Sequence, residues 1–264
     1  MPIPTIQFFG LPGSGKTYLL NQLKAYLSDE VQIKVVSRNE LIIQALRQRD
    51  NGPISSILKK IPPAIWHRVI HEDHCLQEFL NFICEYPQLF KYVFTVINQA
   101  GAICTGELRS MLGALARTSV EHTLISSLQD HEMSILLLAD EWFYHRFYTL
   151  FANCRLFPTV EQINEFVDLV PATDGAIFIA SHGALCQQRI RQRKDIPVYL
   201  ARYSEQEQES ILKRYYQLFE QLYSVLKSKS EKSIFLYDGY SDQLEPIIHY
   251  CRSIFIAPKI NKSE

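Results

Sequence analysis

The chain has 264 residues, and its 27 lysine and arginine residues nearly balance its 28 aspartate and glutamate residues. This length can bury a substantial core, so we expect a single domain over residues 1–264. The near-neutral charge gives no general attraction to a nucleic-acid polymer or to an anionic membrane, and neither is expected as a partner. Six widely spaced cysteines without a C-x-x-C pair indicate reduced thiols rather than a disulfide framework or a cysteine metal site.

The first residues predict no targeting signal. Met1-Pro2-Ile3-Pro4 leads almost at once into an apolar run, which leaves no room for a signal peptide. Every apolar run in the chain is far shorter than a membrane span. We therefore expect a cytoplasmic protein.

A glycine-rich segment follows the first predicted strand, residues 5–9. It has the pattern G-x-x-x-x-G-K-T, and an apolar helical pattern comes directly after it. The glycines allow a tight turn with inward-facing N–H groups, the lysine reaches the outer phosphates, and the threonine hydroxyl is a magnesium ligand. The sequence predicts a phosphate-binding loop, rather than a structural glycine turn, with ATP and Mg²⁺ as cofactors. The predicted nucleotide contacts in this segment are Gly10, Pro12, Gly13, Ser14, Gly15, Lys16, Thr17 and Tyr18.

Four more strand candidates follow and alternate with helical segments. They are residues 31–36, 134–139, 175–180 and 233–238. Asn39 is predicted to cap a helix that ends at Arg49, residues 50–130 are predicted to form a helical insert, and Ser204 and Glu207 form a capping box. This order predicts an α/β fold with a five-stranded parallel sheet flanked by helices.

Two acids follow the third predicted strand. Because the carboxyl ends of parallel strands meet at one edge of a sheet, Asp140 is expected near Gly13 and Arg38. There it would bind the magnesium ion through a water, with Thr17 as the other protein ligand, unless it is only a helix cap. Glu141 has three interpretations: it removes the proton of an attacking hydroxyl, it orients the substrate, or it is a plain surface acid.

A basic run, Gln187-Gln188-Arg189-Ile190-Arg191-Gln192-Arg193-Lys194, begins shortly after the fourth predicted strand. Phosphoryl transfer spreads negative charge over the moving group, which guanidinium groups stabilise well. Arg189 and Arg193 share one helical face and are predicted to cover the transferring phosphoryl from an arginine-rich lid, residues 187–204, while Arg191 points elsewhere. The alternative is a solvated helix face.

Four aromatic residues come just after the acidic pair. They are Phe143, Tyr144, Phe147 and Tyr148. They either line the pocket of an acceptor or form the core face of the next helix. In the first arrangement His145 and Arg146 contact the substrate.

The order of these features resembles the P-loop nucleoside and nucleotide kinases, and thymidylate kinase is the most similar in layout. The resemblance implies a P-loop NTPase fold with a helical substrate-binding insert. It implies that Arg38 and Arg117 contact the substrate, and that the adenine rests near Asp238-Gly239-Tyr240, so that Gly239 is a nucleotide contact. The D-R-[YFH] motif of thymidylate kinase stands here as Asp140-Glu141-Trp142, and an acidic pair is typical of related kinases that phosphorylate hydroxyl groups.

The sequence thus predicts an enzyme that moves the γ-phosphoryl of Mg-ATP to a hydroxyl or phosphate of a small molecule, with a nucleoside or nucleotide as the leading acceptor class. A P-loop ATPase or nucleotide switch acting on a macromolecular partner is the alternative, because it would use the Asp140–Glu141 pair as metal ligand and water activator. A regulatory GTPase needs an N-K-x-D motif, which only the terminal Asn261-Lys262-Ser263-Glu264 approaches. A zinc site on His67, His71 and His74 or Cys75 is not favoured, and a homodimer is left open.

Overall fold

A computed structural model of the chain describes residues 3–28, 34–49, 76–100, 103, 105–128, 135–192, 200, 203–230, 233–238 and 244–260. Its strands are β1 (Thr5–Phe9), β2 (Lys34–Ser37), β3 (Ile135–Asp140), β4 (Gly175–Ile179) and β5 (Ile234–Tyr237). Its helices are α1 (Lys16–Ser28), α2 (Arg38–Arg49), α3 (Leu76–Glu85), α4 (Pro87–Gln99), α5 (Thr105–Ser126), α6 (Phe143–Cys154), α7 (Val160–Leu169), α8 (Gly183–Arg191), α9 (Glu205–Lys229) and α10 (Glu245–Ile260).

The five strands form one parallel sheet in the order β2-β3-β1-β4-β5. Strand β1 is central, and its Phe8 lies opposite Asp140 of β3 and Ile177 of β4. The predicted α/β fold with a five-stranded parallel sheet and flanking helices is confirmed. Since all strands run in the same direction, the residues that follow β1, β3 and β4 emerge together at one edge of the sheet.

Each face of the sheet is covered by its own set of helices. Side chains alternate along a strand, so Ile6 and Phe8 of β1 pack with α1 and α10 on one face. Phe9 points to the other face, where it packs with a larger cluster that includes residues of α2 to α9. Strands covered on both faces carry continuous apolar runs, which is why Leu136, Leu137 and Leu138 are consecutive and all buried.

The aromatic residues that follow the acidic pair belong to the core. Phe143, Tyr144, Phe147 and Tyr148 of α6 are each at most 7% exposed. Phe143 stacks on Phe82 of α3 with 5.6 Å between ring centroids, and the other three pack in the same cluster. Full burial of such a side chain stabilises the fold by about 2 kcal/mol. The core interpretation of these aromatics is therefore correct, and the acceptor-pocket interpretation is wrong for them.

Some helices begin next to side-chain bonds to the backbone, α9 and α2 among them. Helix α9 begins after the predicted capping box, in which Ser204 Oγ accepts from the backbone N–H of Glu207 and the Glu207 side chain accepts from the backbone N–H of Ser204. Helix α2 begins at Arg38, so Asn39 lies inside its first turn and is not the cap. There Glu40 accepts from the backbone N–H of Ser37 at 2.6 Å, which ends β2 directly at the helix.

Part of the predicted layout falls outside the described residues. The residues concerned include 193–199 and 201–202 of the predicted lid, with Arg193, and residues 50–75 of the predicted insert, with the zinc candidates His67, His71, His74 and Cys75. Gly239 and residues 261–264 also lie outside the described residues. Between β2 and β3 the described residues are helical almost throughout, in α2, α3, α4 and α5. No helix within the described ranges combines the length and the apolar character needed to cross a membrane.

Candidate functional site

The glycine loop, residues 10–17, connects β1 to α1 and owes its shape to three glycines. Gly10, Gly13 and Gly15 have φ values of 149°, 82° and 100°, a backbone conformation that residues with a β-carbon rarely adopt. A β-carbon on Gly10 would lie 2.7 Å from the carbonyl oxygen of Ile179, and one on Gly13 would lie 2.6 Å from that of Cys186. The loop is therefore packed tightly against the end of β4 and the backbone of α8.

Lys16 is held inside this loop. Its side chain is buried, and Nζ donates to the carbonyl oxygens of Gly10 and Leu11 at 3.0 Å each. Because α1 begins at Lys16, the loop leads directly into the N–H groups that open the helix, where an anion is stabilised. Thr17 and Tyr18 are exposed, and the Tyr18 side chain points largely into solvent.

Ser181 ties the loop to β4, and the sequence reasoning missed it. Its hydroxyl donates to the carbonyl oxygen of Ser14 at 2.9 Å, and both residues are almost completely buried. The Cys186 thiol in turn donates to the carbonyl oxygen of Ser181 at 3.5 Å. The available signal was its position, since Ser181 follows the fourth strand at the edge where ligand groups gather.

Among the described residues of the basic run, 187–192, Arg189 of α8 reaches the loop. Its Nη1 atom donates to the carbonyl oxygens of Gly13 at 3.3 Å and Ser14 at 3.2 Å. Arg191 points away and pairs with Glu205 at 2.9 Å, as the helical spacing predicted. The structure therefore gives Arg189 and Arg191 different surroundings, and the solvated-face interpretation does not fit Arg189.

The acidic pair lies at the end of β3, next to β1. The Asp140 carbonyl oxygen accepts from Arg38 Nη1 at 3.2 Å. Glu141, the next residue, has a φ of 53°, which is uncommon for a residue other than glycine. Such a conformation costs about 1–3 kcal/mol and persists where the surrounding structure enforces it, often at functional sites.

Arginines from α2 and α6 surround this strained residue. Arg38 lies over the Trp142 ring, 5.9 Å from its centroid, and its Nε is 3.3 Å from Glu121 Oε2 of α5. Arg146 donates from Nη2 to the carbonyl oxygen of Glu141 at 2.7 Å. Arg146 also donates from Nε to Thr118 Oγ1 at 2.8 Å, which ties α6 to α5.

Arg117 belongs to the same cluster, although its side chain is exposed. Burial lowers the pKa of Arg146 to about 10, and among the smaller influences Arg38 and Arg117 lower that pKa while Glu141 and Glu121 raise it. All three arginines predicted to contact the substrate are thus brought together. We call Arg38, Arg117 and Arg146 the arginine cluster.

The Glu141 carboxylate is ionised at neutral pH. Its pKa is lowered to about 2, first by His145 and then by Lys16, Arg146 and Arg38. His145 Nε2 lies 3.7 Å from Glu141 Oε1, and burial lowers the pKa of His145 to about 3. The imidazole is therefore neutral at pH 7, and the charges that face Glu141 at that pH are the lysine and the two arginines.

The chain matches none of the known family models and none of the curated proteins with which it was compared.

Proposed function

We propose that the chain is a phosphotransferase that moves the γ-phosphoryl group of Mg-ATP to a small-molecule acceptor. The observation that carries the proposal is the glycine loop, in which Lys16 and Arg189 both bond to loop carbonyl oxygens while Asp140 and Glu141 leave the neighbouring strand. A loop of N–H groups with two cations and a nearby carboxylate suits a polyphosphate and its metal. In this proposal residues 10–17 hold the phosphates.

The metal and the transferring group follow from the same arrangement. Thr17 would supply one hydroxyl ligand to Mg²⁺, and Asp140 would bind it through a water, in keeping with the preference of Mg²⁺ for oxygen ligands and retained waters. Arg189, with Arg193 further along the chain, would stabilise the charge that spreads over the phosphoryl group during transfer.

The acceptor is assigned to the arginine cluster. Arg146 lies about one helical turn after the acidic pair, and its side chain bonds to the carbonyl oxygen of Glu141. Glu141 stands where the D-R-[YFH] motif has its arginine, so Arg146 brings a guanidinium group close to that position. Trp142 is only 2% exposed, so its ring supports Arg38 and is not a surface for the acceptor. These contacts support a nucleoside or nucleotide as acceptor, held by Arg38, Arg117 and Arg146.

Glu141 fits the role of orienting the acceptor better than that of a base. A general base works best with a pKa near the operating pH, whereas Lys16, Arg146 and Arg38 hold the pKa of Glu141 below its ordinary value. An ionised carboxylate can still accept a hydrogen bond from an acceptor hydroxyl and fix its direction. Glu141→Gln keeps the shape of the side chain and one oxygen that accepts hydrogen bonds, so we expect a moderate loss of rate. A loss of several thousandfold would instead support Glu141 as the general base.

The proposal is tested by calorimetric titration of Mg-ATP into the protein and its Lys16→Met variant. We expect binding to the native protein and loss of binding in the variant. Lys24→Met is the matched control, because Lys24 lies on the same helix but is paired with Glu40 at 2.7 Å, and it should bind ATP normally. Failure of the well-folded native protein to bind either ATP or GTP with magnesium would end the proposal.

An ATPase or nucleotide switch is the second candidate, and one observation favours it. Glu141 is ionised, lies next to Asp140, and its side chain is 48% exposed, so a water can reach it. A turnover assay separates the two candidates. ADP release that rises only when a nucleoside or nucleotide is added supports the kinase, whereas steady release without an acceptor, stimulated by a macromolecule, supports the ATPase.

A further inference from the structure

A cavity of about 290 Å³ lies between the carboxyl-terminal end of α6 and the first half of α9, and none of its lining residues belongs to the glycine loop. Leu156 and Ile211 give it an apolar wall. The ring of Tyr215 adds a flat surface, fixed because its hydroxyl donates to the carbonyl oxygen of Ala152 at 3.2 Å. Its size is at the lower end of the range for small-molecule sites, and a largely apolar lining is typical of such sites.

Two arginines line the same cavity. Arg155 ends α6 with a φ of 54°, and its backbone N–H bonds to the last turn of that helix, which fixes where its side chain begins. Its side chain is 59% exposed, and its Nη2 donates to Oε1 of Glu107 at 3.4 Å, so Glu107, which is only 10% exposed, offsets part of the Arg155 charge. Arg214 lies over the ring of Phe157, 5.4 Å from its centroid, and such a contact leaves its positive charge uncancelled.

Glu207, which also lines the cavity, is already hydrogen-bonded in the capping box of α9. The Glu207 carboxylate accepts from the backbone N–H of Ser204 at 2.8 Å and from its hydroxyl at 2.7 Å. These bonds to Ser204 lower the pKa of Glu207, so the carboxylate is ionised and bonded at neutral pH. Among the lining residues that the structure describes, Glu207 is bonded to Ser204 and Arg155 contacts Glu107, so Arg214 is the cation that keeps most of its charge.

A neighbouring groove of about 630 Å³ provides a contrast on the same helix. It lies between α7 and α9, and Glu220 is the one ionisable residue among the described residues that line it. The groove is otherwise lined by amides, hydroxyls and a few apolar side chains, including Gln217 and Val225. An anion with an apolar body would therefore favour the smaller cavity over the groove.

We propose that the cavity between α6 and α9 is a binding site for a small organic carboxylate with a flat apolar body. The carboxylate group binds between Arg155 and Arg214, since guanidinium groups match carboxylate geometry. The body packs on Leu156, Ile211 and the Tyr215 ring. This proposal does not depend on phosphoryl transfer, and it is tested independently of the glycine loop.

The test uses 2-naphthoate as the probe and 2-naphthamide as its neutral match, with binding followed by amide chemical shifts. We expect saturable shifts for residues 152–156 and 207–215 with the carboxylate and weaker binding of the amide. Arg214→Gln should weaken naphthoate binding at least tenfold. Arg252→Gln, which removes an arginine from the distant helix α10, and Gln217→Ala in the groove should leave binding unchanged.

Three results would each overturn the proposal. They are equal binding of naphthoate and naphthamide, a dissociation constant for Arg214→Gln within twofold of the native value, and shifts at residues 217–228 or 10–17 in place of the cavity. Arg214 is exposed, so its variant is expected to fold, and the melting temperature checks this directly. Arg155→Gln tests the second arginine of the cavity in the same way and should also weaken naphthoate binding.

Discussion

The glycine loop and the arginine cluster lie on the same edge of the sheet but are built in different ways. The loop is mostly backbone, and its critical residues are consecutive in the chain, from Gly10 to Thr17. The arginine cluster consists of side chains from α2, α5 and α6 that tertiary packing brings together. The loop therefore tolerates little change at a glycine, whereas the cluster depends on the support of each arginine by its neighbours.

The largest effect on stability is expected from Gly13→Ala, a substitution in the glycine loop. The residue has a φ of 82°, and a β-carbon would lie 2.6 Å from the carbonyl oxygen of Cys186, so the variant must move α8 or the loop. We expect the free energy of unfolding to fall by about 3 kcal/mol or more in urea denaturation, from strain and backbone displacement together.

Gly106→Ala is the matched control for that substitution. Gly106 lies in α5, and a β-carbon there would meet no atom within 4 Å. Alanine favours the helix, so this variant should gain about 0.5–1 kcal/mol. Equal stabilities for the two variants would mean that the loop does not have the shape described.

The next effect concerns acid stability and the support beneath the arginine cluster. His122 of α5 is packed edge-on against Phe82 and Phe143, and burial lowers its pKa from 6.5 to about 4, although Glu85 opposes the shift. As the pH falls, His122 therefore binds a proton at a higher pH in the unfolded chain than in the folded protein. Stability is fully present above pH 6.5, falls as the pH decreases toward 4, and the loss totals about 3 kcal/mol.

His122→Phe should remove that part of the pH dependence, because phenylalanine keeps the ring packing and cannot bind a proton. Thermal melts between pH 7 and pH 4 measure it. The pH dependence that comes from buried His145, whose pKa is lowered further, should remain in the variant. His249→Phe, an exposed position on α10, is the control. If the melts of His122→Phe fall with pH as steeply as those of the native protein, His122 is not the group responsible.

Arg146→Met probes the cluster directly. It removes the bonds to the Glu141 carbonyl oxygen and to Thr118 Oγ1, and the backbone at Glu141 loses one support for its strained conformation. We expect a stability loss of about 1–3 kcal/mol. In the kinase assay we expect a higher KM for the acceptor and an unchanged affinity for ATP, and a loss of ATP binding instead would mean that Arg146 serves the loop.

The smallest effect is expected from Ser181→Ala, which removes the bond to the Ser14 carbonyl oxygen and leaves α8 in place. One hydrogen bond of this kind contributes about 1 kcal/mol, so ATP affinity should fall by roughly fivefold to tenfold. Ser224→Ala, which removes an exposed bond within α9, should leave ATP affinity unchanged. An equal decrease in both variants would point to a general loss of stability rather than to the loop.

Local sequence predicted the parts of the fold that local rules control. Apolar runs, and for β2 an alternating pattern, indicated all five strands, and the Ser204 capping box marked the start of α9. Asn39 was taken for a cap because its residue type favours that position, but Glu40 bonds to Ser37 and the helix begins earlier. The aromatic residues of α6 had two interpretations because the same spacing serves a pocket or a core, and only packing distinguishes them.

The sequence by itself determined the strand order along the chain and the residues of the glycine loop, because both depend on contacts between near neighbours. The tertiary structure alone decided that Ser181 and Arg189 bond to the loop, that Arg146 reaches Glu141, and that Glu141 is held in a strained conformation with a lowered pKa. The physical reason is that burial, charge and strain at one atom depend on side chains far away in sequence, which the sheet and its helices bring together.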